Sequence, residues 1–332
     1  MRILACLVSL TSVVSAVFAQ DASPRPPVID VHLHGYPAEL VISADSVNPV
    51  TRTPPAARTG AAHMRATLEE MRHFNVVRGY VSAVEGHAPE IVLPWHEADP
   101  ARIVAAAALE ALMPREDAGT PQAAASPAVR LPDLGSLRRR FQDGSFGAMG
   151  EIGAQYAGMS LSDPRFEPYL ALAEELDVPV GVHTGISFAG ISYNPCCRNF
   201  RTIYGNPQTV EEALNRHPRL RLYLMHGGWP YTQETVAMMS VYPQLYADLA
   251  VIDWIIPRAE FHAHLRRLVR AGLGDRLMFG SDQMRWPEAI GMAIEGIESA
   301  PFLSAAEKRA IFCGNAARFF RLEGPQNPCR AR

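Results

Sequence analysis

The 332-residue chain has no run of lysines or arginines and no acidic tail. Its 31 basic residues stand against 34 acidic ones, for a net charge of −3. That balance excludes a protein held to nucleic acid by bulk charge. Cysteine is scarce, at five residues. No CxxC spacing and no Cys/His grouping offers a structural zinc site. No repeat of fixed period occurs, which excludes a solenoid or propeller array. Charged residues make up only 20% of the chain, and the AVILMFWYC class 48%. The chain can therefore bury a large core, and its 27 prolines mark ordered turns, not a disordered linker.

The first twenty residues stand apart. Arg2 precedes an apolar run over residues 3–19, in which Val17 and Ala19 suit the −3 and −1 positions of a signal-peptide cleavage site. At 17 residues, with Ser and Thr inside, the run is marginal as a permanent span. The expectation is a cleaved signal peptide over 1–19 and a single domain over 20–332. The mature protein would be periplasmic or secreted, with no stable membrane span. Disulfides persist in such compartments. Of the four remaining cysteines, Cys313 and Cys329 could tie the C-terminal tail to the last helix, whereas a bond between the neighbours Cys196 and Cys197 would be strained. Ordinary thiols or one structural bridge are expected.

From residue 27 onward, eight short apolar runs alternate with longer amphipathic stretches. The runs cover 28–34, 76–83, 103–109, 146–152, 179–184, 220–227, 245–251 and 277–282. Most are continuous and not alternating, as in parallel strands buried on both faces. Helical patterns cover 62–74, 132–141, 165–176, 208–216, 232–240, 258–271, 287–299 and 304–320. Asp163-Pro164 and Asn206-Pro207 read as helix starts, and Ser304 with Glu307 as a capping box. Eight strand–helix units predict an α/β fold, the closed (β/α)8 TIM barrel. An open doubly wound sheet is the alternative. It usually offers a glycine-rich phosphate turn after the first strand, where this chain has His32-Leu33-His34-Gly35. Loops 35–61 and 185–206 leave carboxyl ends of strands and are expected to be lids or pocket walls.

Polar residues cluster at those strand ends. His32 and His34 share one face of the first strand, because alternation sends i and i+2 the same way. Glu151 ends the fourth run, His183 the fifth, His226 the sixth and Asp282 the eighth. One such histidine is commonly a hydrogen-bonded core residue. Six groups at one end of five strands are different, since burying each unpaired costs roughly several kcal/mol. A divalent ion resolves the problem; imidazole and carboxylate suit zinc, manganese or iron, and zinc is the expected ion. The remaining histidines read as solvent-facing: His63, His73, His87, His96 and His217, and also His262 and His264, which diverge on a helix.

The run Ile29-Asp30-Val31-His32-Leu33-His34, the fifth-strand histidine, His226-Gly227-Gly228 and Gly280-Ser281-Asp282 resemble the amidohydrolase superfamily. The similarity is to its amidohydrolase-related branch, which includes aminocarboxymuconate-semialdehyde decarboxylase. The segment Ile311-Phe312-Cys313-Gly314-Asn315-Ala316-Ala317-Arg318-Phe319-Phe320 is similar to that branch's closing helix. The resemblance covers about residues 27–322. It implies a metal-dependent barrel, with His32, His34, His183 and Asp282 as ligands and His226 as a second catalytic histidine. It does not fix the substrate, because branch members include hydrolases, decarboxylases and hydratases. Glu151 would orient a histidine in a one-ion site or bridge the ions of a two-ion site. No lysine stands at that strand end, which excludes a carboxylated lysine there. One ion is expected, because the branch is mononuclear.

The ligand types suit activation of water, whose pKa a divalent ion lowers from 15.7 to about 7. Asp282 would take the proton, and Asp282 or His226 would return it to a leaving group. Hydrolysis of an amide, ester or lactone bond of a small substrate is therefore the first expectation. Non-oxidative decarboxylation of a small carboxylic acid is the alternative, and it asks for a cation, for which Arg198, Arg201 and Arg285 are candidates. Tyr193, Trp229 and Trp286 are candidate pocket walls. A metal- or ligand-binding barrel without turnover is the third reading. The implied partner is a small molecule and not nucleic acid; a homo-oligomer is compatible with the sequence.

Overall fold

Eight parallel strands pair in strict sequence order. They are β1 (Val28–Gly35), β2 (Val76–Ala83), β3 (Ile103–Ala107), β4 (Ala148–Ile152), β5 (Val180–Val182), β6 (Leu222–Leu224), β7 (Leu245–Asp248) and β8 (Leu277–Met278). The computed structural model describes residues 25–84, 86–109, 131–194 and 197–330. The seam between β8 and β1 closes through Val31 N–H to Phe279 O at 3.1 Å and Asp282 N–H to His32 O at 2.9 Å. This is the (β/α)8 barrel that the alternating pattern predicts. All eight residues of β1 are buried, including Asp30, His32 and His34, the polar half of its alternating pattern.

Several apolar runs outlast their strands. His183, His226 and Asp282 lie just beyond the last paired residues, where the chain leaves the ladder. The helices are α1 (Gly60–His73), α2 (Leu93–Ala98), α3 (Leu134–Gln142), α4 (Glu167–Glu175), α5 (Glu211–Arg216), α6 (Thr232–Val241), α7 (Ile252–Ile255), α8 (Arg258–Arg270), α9 (Ala289–Glu298), α10 (Ala305–Arg309) and α11 (Asn315–Phe319). The short α2 and α7 are too brief to show a period and escape the sequence reading. Ser304 and Glu307 form the expected capping box, but the closing helix is divided by a π turn over Ala310–Gly314.

That closing segment seals one end of the barrel. Phe320 stacks on Tyr80 at 3.8 Å, and Phe319 meets Tyr223 edge-on at 5.4 Å. Arg221, just before β6, donates to Phe319 O at 2.6 Å. The plug therefore lies toward the strands' amino-terminal ends and leaves the carboxyl ends to the site. Cys313 and Cys329 are joined by a disulfide that fastens the tail to this segment. The signal-peptide segment and Cys196 lie outside the described residues. No helix among the described residues is long and apolar enough to cross a membrane.

Three histidines expected at the surface are buried. His264 shares the buried stripe of α8 with Phe261, Leu265 and Leu268. His63 lies on that of α1 with Thr67, Leu68 and Met71. His217 follows α5, with its ring nitrogens 3.0 Å from Glu167 and 3.4 Å from Glu174. For the first two, helical spacing outweighs polarity: a histidine three or four residues from core positions goes inward with them.

Candidate active site

The six strand-end groups converge. His32 and His34 project from β1, and Glu151 from β4; His183, His226 and Asp282 follow β5, β6 and β8. All six are at most 7% exposed. Glu151 is the hub. Its Oε2 lies 3.3 Å from His32 Nε2 and 3.2 Å from His34 Nε2; its Oε1 lies 2.5 Å from His183 Nδ1 and 3.3 Å from His226 Nε2. His34 Nε2 also lies 3.2 Å from Asp282 Oδ1.

The donor set fits a divalent ion. The ligand atoms of His32, His34 and Asp282 lie within 4.8 Å of one another, as do those of His32, Glu151 and His226. Bonds of about 2.0–2.2 Å place ligand atoms some 3.3–4.4 Å apart, so a small contraction closes either group on one ion. His183 stands in neither group. Its Nδ1 contacts Glu151 and, at 3.0 Å, His226 Nε2, while its Nε2 is buried without a partner. His34 Nδ1 is buried without a partner as well.

The site's electrostatics express the same demand for a cation. Burial pushes the His34 imidazole down, but Asp282 and Glu151 outweigh it and hold the group at about 10. Burial likewise opposes charge on His32, yet Asp282, Glu151 and Asp248 keep it well above the usual histidine range. Burial raises the Glu151 carboxyl, and His32 and His183 pull it well below the carboxylate range. The carboxylates thus favour positive charge among the imidazoles, the charge that a divalent ion would supply.

Backbone conformation aims two of the groups. His226 has φ 61° and Asp282 φ 44°, in the left-handed region that costs a side chain roughly 1–3 kcal/mol. The His226 turn is held by its own N–H donating to Asp248 Oδ1 at 2.7 Å and by Thr235 Oγ1 donating to Gly227 O at 3.0 Å. Gly185, at φ 83°, lies against the Trp229 carbonyl, where a Cβ would come within 2.2 Å of the oxygen. Only glycine fits there, and the close approach joins the loops after β5 and β6.

The loop candidates are placed less centrally. Tyr193 is 89% exposed. Arg198, Arg201 and Arg285 are exposed, and Arg201 donates to the carbonyls of Arg198 and Phe200. Trp229 is half-buried against the core, and Trp286 pins the loop after β1 by donating to Ser46 O at 3.0 Å. Three residues near the site escape the sequence reading. Asp248 ends β7 and bonds His32; Gln283 bonds the His34 backbone; and Tyr156 lays its ring 5.0 Å from that of His183. Asp248 interrupts the seventh apolar run, 245–251, and the strand ends at it, so a polar break inside the run was the available signal.

Residues 29–322 match the amidohydrolase family (Amidohydro_2), and the chain belongs to that family. Among curated proteins, 115 residues are 25% identical to Protein fluG of Emericella nidulans, a match covering 35% of this chain and 12% of fluG. Two solved structures share the barrel. One is a probable 2-pyrone-4,6-dicarboxylic acid hydrolase from Acinetobacter baumannii, with TM-score 0.60 and 14% identity over 89% of this chain and 99% of that one. The other is a dihydroxybenzoic acid decarboxylase from Polaromonas sp. JS666 with bound manganese, with TM-score 0.59 and 14% identity over 91% and 99%. At these identities the likeness concerns the fold.

Proposed function

We propose that the protein is a metal-dependent decarboxylase that removes carbon dioxide, without oxidation, from a small ring carboxylic acid. The observation that carries this reading is the placement of Asp282. It is a buried carboxylate, 3.2 Å from His34, at the edge of a donor set sized for one divalent ion. His32, His34 and Asp282 would hold the ion, with Glu151 beside them. Bound there, the ion would supply positive charge to the substrate's oxygens.

The chain's own groups do the rest. Asp282 carries a proton to the carbon that loses carbon dioxide, so that R–COO⁻ and H⁺ become R–H and CO2. His226 points Nδ1 at Ala250 O, 3.1 Å away, which turns Nε2 into the cluster to relay protons. Burial of the whole set excludes bulk water. The ion would meet the substrate's negative charge, so this reading does not require a committed arginine. Arg198, Arg201 and Arg285 are assigned to the rim. The Polaromonas neighbour, named a decarboxylase and holding manganese, supports this choice.

Hydrolysis is the second reading, favoured by the Acinetobacter neighbour's name. In it Asp282 takes a proton from water and hands it to the leaving group. Both neighbours are named for small ring acids, so hydroxybenzoic and pyrone carboxylic acids form the test panel. In D2O enriched in oxygen-18, decarboxylation yields carbon dioxide and deuterium on the product carbon, with no solvent oxygen in the product. Oxygen-18 in a product carboxylate without carbon dioxide would overturn the reading in favour of hydrolysis. The sequence expectation of zinc stands beside the manganese of that neighbour, and elemental analysis chooses between them.

We also propose export and cleavage after Ala19. The Cys313–Cys329 disulfide supports an oxidising destination. A reporter fused to residues 1–22 that stays in the cytosol would refute it.

A further inference from the structure

Asp248, at the end of β7, uses its two oxygens on two different site residues. Oδ2 lies 3.1 Å from His32 Nδ1. Oδ1 accepts the backbone N–H of His226 at 2.7 Å and that of Ala250 at 3.1 Å. The carboxylate is fully buried. We propose that Asp248 is the positioning residue of the metal centre: one oxygen fixes the His32 tautomer so that Nε2 faces the ion, and the other holds the left-handed turn that presents His226.

The argument is one of donor and acceptor number. A neutral histidine has one N–H and one lone pair. An ionised carboxylate only accepts, so a neutral His32 beside it must carry its proton on Nδ1. Nε2, which faces Glu151 and the ligand atoms of His34 and Asp282, is then left to bind. A carboxylate behind a ligating histidine is a general means of orienting the ring and strengthening the ligand. Here the same carboxylate also secures His226, whose φ of 61° its own sequence does not favour. The ends of β1, β6 and β7 are thus set by one side chain.

Asparagine at this position cannot do both tasks, although its shape is the same. It offers one acceptor oxygen where two are needed. With its amide nitrogen toward His32, the proton is driven to Nε2 and the ligand position is blocked. With the nitrogen toward β6, the His226 and Ala250 amides lose their acceptor.

This inference rests on the metal reading, and its test keeps the two apart. Zn2+ affinity is measured for wild type and Asp248→Asn by competition with a chromophoric chelator, with thermal melting as the fold control. The expected result is Zn2+ binding by wild type and a 10–100-fold loss in the variant. Independently of that variant's folding, long-range 1H–15N correlation on Zn2+-loaded wild type should show the His32 proton on Nδ1. Unchanged affinity in a folded Asp248→Asn, or a His32 whose Nδ1 carries no proton, overturns the proposal. A wild type that takes up no Zn2+ overturns the metal reading beneath it, and the proposal with it.

Discussion

Gln283 hydrogen-bonds both backbone groups of His34: the His34 N–H donates to Oε1, and Nε2 donates to the His34 carbonyl, each at 2.9 Å. The last strand ends at Met278, so no backbone neighbour remains beside His34 at the seam. A side-chain amide takes its place, because like a peptide group it offers both an N–H donor and a carbonyl acceptor. Gln283→Ala leaves two buried backbone groups unpaired. Urea unfolding should show a loss of about 2–6 kcal/mol, at roughly 1–3 kcal/mol for each orphaned group. A loss below about 0.5 kcal/mol would show that the pair does not hold the strand end.

The metal reading makes its own demand. The double substitution of His32 and His34 by Ala removes two of the three ligands in one group and one of the three in the other. Metal content by elemental analysis should fall from about one ion per chain to none. Full content in that variant would refute the ligand assignment. Glu151 touches both imidazole pairs, with one oxygen for each. That arrangement could bridge two ions, yet His183 Nδ1 and Glu151 Oε1, 2.5 Å apart, are nearer than two ligands of one ion usually stand. One ion is expected, and a stoichiometry near two that drops on Glu151→Gln would reverse the choice.

The barrel was legible because parallel strands covered on both faces leave long apolar runs that length and spacing identify. His32, His34, Glu151, His183, His226 and Asp282 were legible as polar breaks at the ends of those runs. What the sequence hid was pairing. Asp248 looks like one more strand-end acid until its two oxygens are seen on two residues. Gln283 has no signal at all, because its partner is backbone. His63 and His264 carry no such break, because each lies on its helix's apolar stripe, three or four residues from core positions.

Those two histidines give the protein an acid response. Burial pushes each down to about 4 from the usual 6.5. Each is neutral when folded and protonates more readily when unfolded. The stability contributed is complete above pH 6.5 and is lost as pH falls from 6.5 to 4. A difference of about 2.5 pH units corresponds to roughly 3 kcal/mol per group. The stability difference between wild type and His264→Gln should therefore shrink by about that much between pH 7 and pH 4. A difference that stays constant across this range would show that His264 does not titrate as a buried neutral group.

The last prediction concerns the other end of the barrel. The Cys313–Cys329 bond closes a segment of sequence separation 16. Loop-closure entropy gives about 3 kcal/mol for a loop near 15 residues, by restricting the unfolded chain. Cys313 packs with Phe319, Phe320, Tyr80 and Tyr223, the plug opposite the metal centre. Cys329→Ser should lower stability by about 3 kcal/mol in urea under oxidising conditions. A reductant should lower wild type by about that much more than it lowers the variant, in which the Cys197 disulfide is still there to reduce. Metal content should be the same in both, because no site residue belongs to this cluster. If reductant shifts wild type and variant alike, the stabilisation does not come from this bond; if the variant loses its metal, the plug and the site are coupled through the strands.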